Sequence, residues 1–259
     1  ILLFTFLRFP FDQFGPVISG QLGQMTGSEV RIADIEPVMT WAGPGMVASG
    51  VDFIQSAGPP IAIDRLMIRP AWSTRWLRSG PTLKVEIESP LGSAGGLLTL
   101  GAAPTWVGQI EVADLAVLPR AAGSSIGLTG SLSANADLRL LDGRATGPVQ
   151  FEATSGSFSH PEIPIPVEFE RLQGELVFGG QALVELKELQ LDGPVIAADI
   201  GGVILAPSPG REPRLDIDVL MEIKSAPLKA MMRGMGLRLD RNGRTAFKLG
   251  GTPSRPVTR

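Results

Sequence analysis

The sequence predicts a mainly β fold of antiparallel strands and tight turns, with an N-terminal amphipathic helix and a few short helices. Three observations carry this expectation. The 259 residues include 32 Gly and 22 Pro, and both residue types interrupt helices. Strict apolar–polar alternation recurs, as over 82–88, where Leu83, Val85 and Ile87 oppose Lys84, Glu86 and Glu88. Between such segments stand hairpin signals such as Asp142-Gly143 and Asn242-Gly243.

The chain opens on an apolar stub, with Ile1, Leu2, Leu3, Phe4, Phe6 and Leu7 ahead of Arg8. A bilayer span needs about 20 apolar residues, so seven positions cannot cross alone. The stretch reads as the outgoing end of a transmembrane helix that begins before Ile1. A signal-peptide remnant or a buried first strand fits the same residues. Phe11, Phe14, Ile18, Leu22 and Met25 then follow helical spacing, with Pro10 in a first turn and Gly27 past the end. Gly15-Pro16 inside this helix predicts a kink, because Pro16 has no N–H to donate. After it Val30, Ile32 and Ile35 begin a strand. The domain reading is therefore a membrane-anchor end over 1–8 and one elongated β-domain over 9–259, divisible into halves 9–145 and 146–259.

Composition narrows the chemistry. With no Cys, disulfides and thiolate metal sites are excluded. A net charge of −3 gives no general attraction to nucleic acid, and no nucleic-acid partner is expected. Mean hydropathy is positive (+0.20) although no internal stretch is long enough to cross a bilayer. Apolar surface must then face an interior, a partner or a lipid.

Taken in order, 39–54 reads as two strand fragments around Gly43-Pro44-Gly45, and 61–68 as a further strand. Segment 70–79 reads as a short helix carrying Trp72 and Trp76. Strands follow at 106–118, 126–140 and 149–154. In the second of these Leu128, Leu132, Ala134, Ala136, Leu138 and Leu140 share a face against Thr129, Ser131, Asn135, Asp137 and Arg139. Further strands are predicted at 167–178, 183–191, 195–205 and 215–223. Segment 195–205 is apolar on both faces and belongs in the sheet interior or beneath a cover. Ser225 is placed to N-cap a helix with Leu228, Met231, Met232 and Met235 in a stripe and Gly236 at its end. A last hairpin is predicted from 237–239 through Asn242-Gly243 to 245–250.

A degenerate unit repeats. Ile63, Leu66 and Ile68 precede Pro70; Val112, Leu115 and Val117 precede Pro119; Leu186, Leu189 and Leu191 precede Pro194. A step of three violates the strand period of two, so each copy predicts a β-bulge or a strand end.

Signals for catalysis are weak. His160 is the only histidine and sits in a Ser-His-Pro loop, the setting of a solvated side chain. Glu86, Glu88, Asp216, Asp218 and Glu222 alternate with apolar residues, as on a solvated sheet face. Asp216 with Asp218 is the faintest of metal candidates, and no metal, cofactor or catalytic site is predicted. The glycines of 92–101 and 174–180 lack the helix and Lys of a phosphate loop. Trp72 and Trp76 among Arg69, Arg75 and Arg78 fit either a helix packed on the sheet or a membrane interface. Met231, Met232 and Met235 fit core filling or a pliable contact with lipid or partner. These five are the candidate interface or lipid-contact residues. The edges of an open sheet also predict self-pairing into a homo-oligomer.

Three places carry a resemblance. The order of apolar stub, amphipathic helix and LGQMTGSEVRIADIEP (22–37) is similar to the start of AsmA-like periplasmic proteins. GQIEVADLAVLP (108–119) with GLTGSLSANADLRL (127–140) resembles the core of the type II secretion system protein N family. FKLGGTPSRP (247–256) is similar to the closing strand of both. The resemblance implies a strongly curved antiparallel sheet bent into an open groove. It also implies a single anchor in the bacterial inner membrane, with the bulk of the chain periplasmic. The function it implies is non-enzymatic: a secretion-system component acting on other subunits of that apparatus. The AsmA-like alternative is phospholipid binding or transfer between inner and outer membranes.

Overall fold

The computed structural model describes residues 19–20, 29–41, 43–54, 60–71, 80–101, 103–117, 127–141, 144–159, 166–179, 182–206, 212–234, 239–252 and 255–258. Fourteen strands form one sheet. They are β1 (Glu29–Thr40), β2 (Gly43–Ile54), β3 (Ile61–Pro70), β4 (Thr82–Ser89), β5 (Gly92–Thr99), β6 (Thr105–Val112) and β7 (Gly127–Leu141). They continue as β8 (Arg144–Ser159), β9 (Val167–Phe178), β10 (Ala182–Asp192), β11 (Ile196–Leu205), β12 (Arg214–Ile223), β13 (Arg244–Thr252) and β14 (Arg255–Thr258). Spatial order equals sequence order, every pairing is antiparallel, and β1 and β14 are the two open edges. One helix, α1 (Ala226–Gly234), lies between β12 and β13 without displacing β13 from its place beside β12.

Hairpin chemistry explains the topology. Thr40 pairs with Gly43, Ser89 with Gly92 and Leu141 with Arg144, so two-residue connections return the chain beside itself. At the first turn the Thr40 hydroxyl donates to the Gly43 carbonyl at 2.8 Å. The expected break at Gly43-Pro44-Gly45 is thus moved: the turn falls at 41–42, and those three residues begin β2.

Alternation fixes the two faces. On β7 Leu132, Ala134, Ala136 and Leu138 are buried or half-buried, while Ser133, Asn135, Asp137 and Arg139 are exposed, as predicted. Two small clusters are fully buried on the apolar face. The first gathers Val30, Ile35, Ala48, Val51 and Leu66 from β1–β3. The second gathers Val112, Ala153 and Phe169 with Leu115, which follows β6.

The three repeat copies resolve differently. At Leu186/Leu189 the register of β10 shifts against both neighbours, and Glu188 takes a left-handed φ of 49°: this is a bulge. Val112 ends β6, and Leu115 folds back with its N–H donating to the Gly130 carbonyl at 2.7 Å, so this copy is a strand end. At Ile63/Leu66 the register is unchanged, but pairing lapses beside Gly50, whose φ is 60°. Both Ile63 and Leu66 still pack in the first cluster. That copy is a twist in the backbone and contains no extra residue.

Other expectations are corrected or fall outside the described residues. The strand β5 was not predicted, because GSAGGLLT offers three glycines and weak β propensity. β13 pairs with β12 and β14. Of the predicted hairpin arm over 237–239 only Leu239 is described, outside any strand. Ser225 does begin α1, its carbonyl accepting the Lys229 N–H at 3.0 Å. Of the N-terminal helix over 10–27, only Ser19 and Gly20 are described, and both are helical. The stub over 1–8, the segment 72–79, Gly236 and His160 lie outside the described residues.

Candidate functional site

The feature with functional content is the apolar face, and cross-strand register builds it. One row runs Ile68, Val85, Gly96, Gly108 and Ala136 from β3 to β7. It continues through Val149, Leu176, Leu186, Gly202, Ile217 and Leu249 to β13. A neighbouring row starts Leu66, Ile87, Ala94, Ile110, Ala134 and Phe151. It resumes at Leu189, Ile200, Val219 and Phe247. No member of either row has a polar side chain.

Among the described residues no second layer covers this face. Strands touch their sheet neighbours, β9 also approaches β11, and α1 touches β12. Leu115 and Val117 are the loop residues packed onto it at the second cluster. Only thirteen hydrophobic side chains are buried among the described residues, too few for a closed two-layer core.

Trp106, which the sequence did not single out, belongs to this face between Leu98 and Leu138. A Cβ added at Gly96 would stand 2.9 Å from its Nε1, and one at Gly108 would stand 2.6 Å from its Cζ2. The indole therefore lies against two glycines, which explains why those positions carry no side chain.

The opposite face is charged and crossed by ion pairs. Glu86, Gln109, Asn135, Gln150 and Glu175 form its central row. Ion pairs cross it, including Arg171–Glu152 at 2.9 Å, Arg244–Glu222 at 2.8 Å and Lys248–Asp218 at 3.0 Å. The Glu222 carboxylate raises the Arg244 pKa, and that of Asp218 raises the Lys248 pKa, in each case first by the hydrogen bond it accepts. Asp240 closes the loop into β13, its Oδ1 accepting the Arg244 N–H at 2.7 Å and the Asn242 N–H at 2.8 Å. The Arg244 backbone donor is the chief cause holding this carboxyl below the ordinary carboxylate range.

Three open hollows lie along the sheet. One of about 630 Å³ is mostly apolar and follows the second apolar row, bordered by Leu189, Ile200, Val219 and Phe247 with Glu188, Asp218 and Lys248 beside them. Another of about 390 Å³ is bordered by Asn135, Gln150, Gln173 and Glu175. A third of about 650 Å³ is bordered by Asp64, Glu88, Glu111 and Thr154. No three potential metal ligands converge among the described residues. Asp218 is engaged with Lys248, so the sequence's faint Asp216–Asp218 pair is a solvated ion-pair position.

No family model, curated protein or solved structure matches this chain. Its site is therefore described by its own residues. Of the five sequence-predicted contact residues, Met231 and Met232 lie on α1, and nothing is described of their side chains. Trp72, Trp76 and Met235 lie outside the described residues, the two tryptophans in the segment joining β3 to β4.

Proposed function

We propose that this chain is a non-enzymatic lipid-binding protein whose apolar sheet face carries the acyl chains of phospholipids, as its likeness to AsmA-like proteins implies. The observation that carries the reading is a long apolar face over which, among the described residues, no second layer lies. Burying aliphatic surface yields about 25 cal/mol per Å², and a face this long left in water is a standing driving force for an occupant.

Dimensions favour acyl chains. From Leu132 to Leu138 the face is about 20 Å wide at ~3.4 Å per residue. One leaflet of a ~30 Å hydrocarbon core is about 15 Å deep, so a chain lying along a strand fits. From β3 to β13 the rows extend about 48 Å at ~4.8 Å per strand, room for several chains abreast. Uniform Leu, Ile, Val and Ala rows offer no hydrogen-bond code, which suits a partner made of repeated methylenes.

The curved-groove form is part of this proposal. A bacterial inner-membrane anchor with a periplasmic sheet follows from the resemblance and is proposed with it.

The test is mass spectrometry of lipids extracted from the purified chain. Phospholipid at stoichiometric level is expected, and an Ile200→Asp or Ala136→Glu variant that still folds should lose it. Phospholipid no higher than in a mock purification counts decisively against the reading.

A second reading, a structural subunit of a type II secretion apparatus, draws on the free edges of β1 and β14. Each has an unpaired row of backbone donors and acceptors open to strand addition by a partner or a second copy. Co-purification of secretion subunits with empty lipid extracts would favour it. A monomer mass by light scattering in detergent would remove the homo-oligomer.

A further inference from the structure

The two ends of the strands are chemically unlike. Call the first rim the one where β1 ends and β2 begins; by antiparallel order β7, β9, β11 and β13 also end there, and β8, β10, β12 and β14 begin there. Most large apolar side chains exposed among the described residues stand at this rim. Trp41 is 96% exposed in the first turn, and Met39, Leu100, Leu141, Leu183 and Val257 stand at or just beyond strand ends.

Cations are distributed with the same bias. Arg69, Arg139, Arg144, Arg214 and Arg255 occupy the last positions of strands at this rim. None of the five holds an acidic partner among the described residues. Elsewhere Arg65, Arg171, Lys187 and Lys248 on the body of the sheet are all ion-paired, as are Lys84 beside Arg69 and Arg244 at the start of β13. The opposite rim is mixed: Glu29, Asp52, Glu111, Asp114, Glu168 and Asp192 stand at its strand ends or just past them, but Glu29 pairs with Arg31, Asp192 pairs with Lys224, and Arg244 opens β13 there.

We propose that the first rim seats on the headgroup layer of an anionic phospholipid bilayer, the Arg residues meeting phosphates and the Trp41 and Leu tips entering the interface. Charge complementarity selects this occupant. The whole chain is at −3, so attraction to an anionic surface must come from a local cluster. The apolar groups are single tips spread along the rim rather than one compact patch, an arrangement suited to insertion between headgroups. Guanidinium groups with no acidic partner among the described residues stand beside them and fit phosphate. The apolar face extends to this rim, as at Leu138 and Leu140 of β7, so a chain leaving the bilayer there would meet it directly. The docking itself stands on the rim alone.

Vesicle co-sedimentation of the 1–259 chain tests it, comparing phosphatidylcholine vesicles with vesicles in which part of the lipid is phosphatidylglycerol. Because an apolar N-terminus can partition into either, the readout is the ratio between the two. The expected ratio is well above unity and falls as salt rises. Each basic residue near an anionic surface contributes about fivefold, so Arg139→Glu/Arg144→Glu/Arg214→Glu should lower anionic binding on the order of a hundredfold. The equal charge change Lys229→Glu/Arg233→Glu/Arg241→Glu, away from this rim, should leave the ratio unchanged. Circular dichroism and thermal melts establish that both variants are folded. Equal binding to the two vesicle types, or equal losses in the two variants, overturns the proposal. Lipid extraction from the same samples reports separately on the apolar face, so one reading can fail without the other.

Discussion

Val51 and Leu115 are both almost completely buried, at 0% and 3% exposure, but by different means. Val51 lies in strand β2, next to Gly50, where pairing lapses, and it packs among Val30, Ile35, Ala48 and Leu66. Leu115 lies beyond a strand end, and the chain after β6 folds back to set it on Ala153 and Phe169. A one-layer sheet has no opposing layer to exclude water. Apart from the small Ala134 and Ala136 and from Ile217, the two clusters are buried where the backbone departs from regular pairing or where a loop is laid over the sheet. The regular strands between the two clusters keep their apolar rows half-open, and that is the surface to which we assign function.

The comparison can be broken. Phe169 is 3% exposed at the centre of the second cluster, and Phe169→Ala should cost about 3–5 kcal/mol by urea unfolding. A loss under about 1 kcal/mol would mean that the cluster is not a packed unit. Leu115→Ala should cost about 2–3 kcal/mol and act locally. Hydrogen exchange should speed up in β6–β9 while β1–β3 keep their protection; equal loss in both would make the clusters one cooperative body. Gly50→Ala places a Cβ at φ 60°, 3.0 Å from the Ala33 Cβ. About 1–2 kcal/mol is expected, with the damage confined to β1–β3. The smallest effect belongs to Asp240→Asn. Because the folded carboxyl sits below its ordinary value, its contribution is complete above the ordinary carboxylate range and disappears as pH falls through the lowered value. Thermal melts should show the variant less stable at neutral pH and indistinguishable from the parent in strong acid. A constant gap across pH would reassign the residue to packing.

Much of this architecture is written in side-chain alternation. Segment 167–178 coincides with β9, and the faces of β7 follow from its Leu and Ala positions against Asn135, Asp137 and Arg139. The step of three in the repeat marks real departures from regular pairing. What alternation misses has physical causes. β5 is a strand because Trp106 fills the space over Gly96, a cross-strand relation invisible within its own eight residues. The Gly-Pro-Gly signal outweighs the true turn at 41–42 when turns are read locally. Period also says which side chains share a face, but whether anything covers that face depends on layers. Likewise the rim emerges only when strand ends distant in sequence, from Trp41 to Arg255, are brought level by register.

Strictly sequential pairing carries a last consequence. Each strand finds its partner in the adjoining segment, so no contact in the sheet fixes the number of hairpins. Inserting one more would lengthen the oily track by about 10 Å and leave both terminal strands as they are. Reach, in a molecule built this way, is a quantity adjustable by duplication, one hairpin at a time.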